Sequence, residues 1–85
     1  MKQYLYVIKD ALGIHARPAG LLVKEASKFS STITIQAKDK LADAKRIMAV
    51  MRLGVKQGDQ ILISIEGEDE LTAFNEITQF LNNNL

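Results

Sequence analysis

The sequence predicts an α+β open-faced sandwich: elements in the order βαββαβα, forming a four-stranded antiparallel sheet with three helices on one face. Three observations point there. Tyr4–Ile8, Thr32–Ala37 and Gln60–Glu66 are short runs rich in β-branched and aromatic residues, or alternating with period two, as strands do. Between them lie segments whose apolar residues recur at helical spacing. Finally, 85 residues with a 47% hydrophobic share can enclose one core but not two, so the elements form a single domain over residues 1–85.

Each element has its own justification. Tyr4–Ile8 is so continuously apolar that its buried face stays unassigned. From Ala16 onward, Ala19, Leu22, Val23, Ala26 and Phe29 set a first helix that ends near Lys28. Thr32-Ile33-Thr34-Ile35-Gln36-Ala37 alternates cleanly. Lys38-Asp39-Lys40 reads as a tight turn into a weak third strand, Leu41–Asp43. A short helix, Ile47–Leu53, stops at Gly54, a suitable residue just past a helix end. Ile61, Ile63 and Ile65 share one face of the fourth strand. The acids Glu68-Asp69-Glu70 suit the first turn of a last helix. Its expected inner stripe is Leu71, Phe74, Ile77, Thr78 and Leu81, with Asn82-Asn83-Asn84 fraying at the end.

Composition excludes several classes of function. Eleven basic and ten acidic side chains give a net charge of +1, which argues against nucleic-acid or membrane-surface binding. The element order is also that of an RNA-recognition fold, but the segment Lys40–Ala44 offers no aromatic ring for a base to stack on. No cysteine is present, so neither disulfides nor thiolate metal sites arise, in keeping with a reducing compartment. No apolar run approaches the roughly 20 residues of a membrane span, and Met1-Lys2-Gln3-Tyr4 does not begin a signal peptide. The expectation is a cytoplasmic protein without membrane insertion.

Two places carry residues the core does not need. The only histidine, His15, stands in Gly13-Ile14-His15-Ala16-Arg17-Pro18-Ala19-Gly20, where an extended segment turns into a helix. The backbone N–H groups there, those of Ala16 and Arg17 first, lack helical partners and face the positive dipole end, a site for an anion. Imidazoles titrate near pH 6.5, so a large neutral, nucleophilic fraction exists at cytosolic pH. Arg17 suits a phosphate because its planar fork binds two oxygens. One histidine without an acidic cluster gives too few ligands for a metal. Taken alone, such a histidine reads more readily as a cap or a surface residue. On the middle helix, Val50 and Leu53 share one side, while Ile47, Met48 and Met51 fall on the other. By periodicity this second side reads first as core packing over a neighbouring loop, and second as a docking surface, a use methionine suits. Leu21, beside Gly20, also lies off the inner stripe.

Gly13-Ile14-His15-Ala16-Arg17-Pro18-Ala19 resembles the active-site signature of the HPr family, the histidine-containing phosphocarriers of the phosphoenolpyruvate-dependent sugar phosphotransferase system (PTS). Lys45-Arg46-Ile47-Met48-Ala49-Val50-Met51-Arg52-Leu53-Gly54 resembles that family's second signature, usually Lys-Ser-Ile-Met-Gly-Val-Met-Ser-Leu-Gly. With the chain length and element order, the resemblance covers essentially the whole sequence. It implies that His15 accepts a phosphoryl group on Nδ1 (the pros nitrogen) from enzyme I and passes it to IIA domains of sugar permeases, with Arg17 neutralising the phosphate. Pro18 matches the motif's proline, whose missing N–H costs little in a first helical turn. Leu21, Ile47, Met48 and Met51 match the docking surface. Arg46 and Arg52, with Arg17, Lys24 and Lys45, add cations that could speed association with acidic partners. No cofactor is implied. The expectation is a monomeric carrier rather than a stand-alone enzyme, making transient contacts.

The departures from the family pattern are informative. Arg46 stands where many relatives have a serine phosphorylated by an ATP-dependent kinase. It cannot take that phosphate, and it brings a positive charge where phosphorylation would bring about two negative ones. It is also a poor helix start. Ala49, in place of the family's glycine, favours the helix by up to about 1 kcal/mol. Two other readings of the same fold are a regulatory binding module and an operon-specific paralogue lacking the regulatory serine. Regulatory relatives lose the histidine, which this chain keeps.

Overall fold

The strands alternate sharply between a dry and a wet face, and this alternation places the helices. The structure is a computed structural model describing residues 1–85. Its elements are β1 (Lys2–Val7), α1 (Ala16–Ala26), β2 (Thr32–Ala37), β3 (Lys40–Asp43), α2 (Ile47–Arg52), β4 (Gln60–Glu66) and α3 (Glu70–Asn84). The sheet order is β1-β4-β2-β3, with every pair antiparallel. β4 is central: Ile63 lies opposite Tyr4 on one side and Ile35 on the other. Tyr6 and Ile8 point inward while Leu5 and Val7 face solvent, which settles the face of the first strand.

Ile33, Ile35, Ile61, Ile63 and Ile65 form a floor of β-branched side chains. Each is almost wholly buried, worth roughly 1.5–3 kcal/mol of transfer free energy. Ala19, Leu22 and Ala26 of α1, Val50 of α2, Leu53 just past it, and Ala73, Ile77 and Leu81 of α3 close over that floor. The βαββαβα order and the three helices on one face are as the sequence predicts.

Some details differ. α1 stops at Ala26 rather than near Lys28, because Lys28 and Phe29 donate to Glu25 and Ala26, a tighter i→i−3 pattern that ends the helix. The buried stripe of α3 is Ala73, Ile77 and Leu81, and Leu71 is 59% exposed. The stripe is rotated towards Ala73 because a small side chain lets the helix sit close to the sheet, with Phe74 and Phe80 packed on its flanks. The three asparagines do not fray. Asn82 and Asn84 donate from their side chains to the carbonyls of Thr78 and Phe80, at 2.8 and 3.0 Å, and helix α3 runs through Asn84.

Asp69 ties the start of α3 to the loop before β2. Its carboxylate accepts the backbone N–H groups of Ser30 and Ser31, at 2.8 and 3.0 Å, and the hydroxyl of Ser31. These donors, the Ser31 hydroxyl foremost, hold its carboxyl below the usual aspartate range. A lowered folded value stabilises the fold above the ordinary aspartate value of about 3.9, and this support is lost as pH falls through the folded value. Asp69→Asn keeps only one acceptor oxygen and no charge. Thermal melts should therefore show it less stable than the parent at pH 7, with the gap closing towards pH 3; a gap independent of pH would contradict this role.

Candidate functional site

The segment between β1 and α1 carries His15, and it is pinned along its length. Ile8 donates to the Asp59 carbonyl at 2.9 Å and accepts from the Gly58 N–H at 2.8 Å. The N–H groups of Lys9 and Asp10 donate to an oxygen of Leu85, at 2.6 and 2.9 Å, which fastens the loop to the far end of α3. Leu85 itself is buried. Asp10 forms an Asx turn, its Oδ1 accepting the Leu12 N–H at 2.8 Å while its carbonyl accepts from Gly13 at 3.0 Å. Gly13 has φ +67°, and a Cβ there would stand 2.2 Å from the carbonyl oxygen of Val55. Only glycine fits both the conformation and the contact. Ile14, buried, then donates to that same carbonyl at 3.2 Å.

His15 follows as the N-cap of α1, in an extended conformation with no side-chain capping bond. Its carbonyl accepts from Ala19 at 3.0 Å, but the N–H groups of Ala16 and Arg17 donate to no protein acceptor. Two unpaired donors at a positive helix end beside an imidazole form a place for an anion. Arg17 is exposed and makes no ion pair, so its guanidinium is free to meet negative charge. Pro18 sits in the first turn of the helix with its ring buried.

These residues line a shallow recess of about 260 Å³, bounded by Asp10, His15, Arg17, Pro18, Leu21, Asn83 and Asn84. Three of them the sequence did not bring to the site. Asn83 and Asn84 arrive because α3 persists to its last residues and docks beside the loop. Asp10 arrives because the turn through Gly13 folds the chain back, and its Oδ1 lies 3.7 Å from His15 Nε2. An aspartate that opens a turn closed by a glycine was the available signal for that acid.

The second side of α2 is not a cap over a loop. Ile47, Met48 and Met51 are 40%, 60% and 38% exposed, whereas Val50 and Leu53 are buried. Leu21 is 42% exposed. The two helices adjoin at Gly20, where a Cβ would meet Ile47 Cδ1 at 3.6 Å, an ordinary contact distance. Leu21, Ile47, Met48 and Met51 thus present apolar surface from two adjoining helices, and Leu21 also lines the recess beside His15. Arg46 and Arg52 flank α2, both exposed. Arg46 offers no capping bond, as expected of an arginine. Asp43 supplies the turn instead, its Oδ1 accepting the Lys45 N–H at 2.9 Å and its Oδ2 lying 3.9 Å from Arg46 Nε. Lys45 departs from the expected rim of free cations, since its ammonium donates to the Phe29 carbonyl at 2.7 Å and clips the end of α1 to the start of α2.

Comparison with known proteins agrees in extent and in fold. The family model described as "PTS HPr component phosphorylation site" matches residues 3–83. A phosphocarrier protein HPr from Lysinibacillus sphaericus is 44% identical over 81 residues, covering 95% of this chain and 92% of that protein. Another, from Mycoplasma capricolum, is 47% identical over 79 residues, covering 93% and 89%. The solved structure of a Mycoplasma histidine-containing phosphocarrier protein superposes with a TM-score of 0.94 at 44% identity, covering 96% of this chain and 93% of that one.

Proposed function

The chain belongs to the HPr family of PTS phosphocarriers, and from that premise we propose that His15 is its phosphoryl way-station: it accepts the group on Nδ1 from phosphorylated enzyme I and hands it to IIA domains of sugar permeases. One observation carries the assignment. An imidazole with no capping bond and an unpaired Arg17 line a single recess, and the unpaired N–H groups of Ala16 and Arg17 open the helix that follows His15. Phosphoryl transfer asks mainly for positioning and for stabilisation of charge on the moving group. The rigid loop supplies the first, and the helix amides and guanidinium supply the second. Pro18 pre-sets the first turn that aims those amides.

Docking falls to Leu21, Ile47, Met48 and Met51, with Arg46 and Arg52 at the rim favouring acidic partner surfaces and a fast encounter. The reading is of a cytoplasmic monomer whose contacts release readily, as a shuttle's must. No helix of the chain is long and apolar enough to cross a membrane. The test is a reconstituted relay: enzyme I, phosphoenolpyruvate and a IIA domain, with and without this protein. Label should reach the IIA domain only when the protein is present, and labelling indifferent to it would contradict the relay.

Arg46 removes the serine switch. No serine lies between Ser31 and Ser64, so incubation with an HPr kinase and ATP should leave the whole protein free of acid-stable phosphate, checked by intact-protein mass spectrometry. An acid-stable phosphate on Ser27, Ser30, Ser31 or Ser64 would contradict this.

A further inference from the structure

Asp10 brings a carboxylate to the nitrogen of His15 that the relay leaves unused. We propose that Asp10 is a positioning residue for His15: it holds the imidazole with its proton on Nε2, leaving the Nδ1 electron pair free, and it stabilises the charge that transfer places on the ring. The inference rests on the reading of His15 as the phosphoryl acceptor.

The carboxylate is fixed before any partner arrives. Its Oδ1 accepts the Leu12 N–H at 2.8 Å, the Asp10 N–H is held by Leu85 at 2.9 Å, and its carbonyl accepts from Gly13 at 3.0 Å. The ring has no comparable tether, since it makes no capping bond to α1. The separation of 3.7 Å from Oδ1 to Nε2 is an electrostatic contact, longer than a hydrogen bond. Catalytic contacts of this kind commonly tighten in the reacting complex. The side chains are 29% and 35% exposed, so solvent screens the pair less than it would on an open surface. With Nε2 turned towards an acid, Nδ1 is the nitrogen left for the phosphorus.

The charge balance shows why a carboxylate matters there. The Nδ1 pair attacks phosphorus and the Nδ1–P bond forms. The donor's own bond to phosphorus breaks, and its electron pair stays on the donor. No proton moves. The ring, now substituted on Nδ1 and protonated on Nε2, carries a positive charge, and its Nε2–H faces Asp10. Before transfer the ring is neutral, so the carboxylate favours the charged state over the starting one. A carboxylate behind a histidine plays this part in catalytic triads and in metal sites, and in metal sites its loss typically costs 10–100-fold in affinity or activity.

The test uses two neutral variants that keep an oxygen for the Leu12 N–H: Asp10→Asn, of equal length, and Asp10→Ser, too short to reach the ring. The ¹⁵N shifts of the neutral imidazole should report protonation on Nε2 in the parent and a mixture of tautomers in both variants. With phospho-enzyme I as donor, kcat should fall by about 10-fold while KM stays the same. Unchanged tautomers, an unchanged kcat, an effect confined to KM, or a loss in Asp10→Ser alone would each overturn the role of the carboxylate charge. Failure of the parent protein to take phosphate on His15 would instead overturn the phosphocarrier reading itself.

Discussion

Replacing His15 with alanine is expected to abolish phosphoryl acceptance from enzyme I and phosphoenolpyruvate while the domain folds as before. The loss should be complete because the chain has no other histidine. The fold should survive because the imidazole makes no hydrogen bond within the domain, only the long contact with Asp10. Its side chain is 35% exposed and caps no helix, and the bond that starts α1 comes from the His15 carbonyl, which alanine retains. A surface substitution away from such structural features usually stays within about 0.5 kcal/mol. Label transfer from phosphoenolpyruvate and a thermal melt on the same sample check both halves. Continued stoichiometric labelling of His15→Ala would contradict the assignment.

Placing a glutamate at Met48 is expected to produce the second large effect, on docking rather than chemistry. Met48 is 60% exposed, the most exposed of the four apolar residues, so it gives up little of the core when it changes. In a complex the same residue would be buried against a partner, and an unpaired carboxylate there pays a desolvation penalty. A residue that acts as an interface hot spot costs about 2 kcal/mol or more when disrupted, close to 30-fold in affinity. Titration calorimetry against enzyme I or a IIA domain should show this loss with an unchanged melting temperature. A large fall in melting temperature would assign that side of α2 to the core.

Much of this was legible in the sequence because it depends on local pattern. Ile33 and Ile35 alternate with threonine, Ile61, Ile63 and Ile65 recur every second residue, and the inner faces of the sheet follow directly. His15 was placed at the mouth of a helix by Gly13 before it and Pro18 after it, both of which act through backbone geometry. The exposed side of α2 was half legible. Periodicity separated Ile47, Met48 and Met51 from Val50 and Leu53, but only the packing of α1 against α2 shows that nothing covers them.

What the sequence concealed depends on distant segments meeting. Asp10 approaches His15 because the loop is tied to Leu85 and Val55, remote in sequence. Asn83 and Asn84 reach the recess because Asn82 and Asn84 bond back into α3, where an asparagine run alone reads as a frayed end. Lys45 reads as a free cation until its ammonium is found on the Phe29 carbonyl. Leu71 reads as core until Ala73 is seen to set the rotation of its helix. In each case a local preference is overridden by a tertiary partner that no pattern of spacing encodes.

The central claim is that one imidazole, His15, carries the phosphoryl group. Mass spectrometry of the intact protein after incubation with enzyme I and phosphoenolpyruvate tests it most directly. The expected result is a single added phosphoryl group, lost in acid, stable in base and located by fragmentation on His15. No added phosphate, or an acid-stable one on another residue, would contradict it.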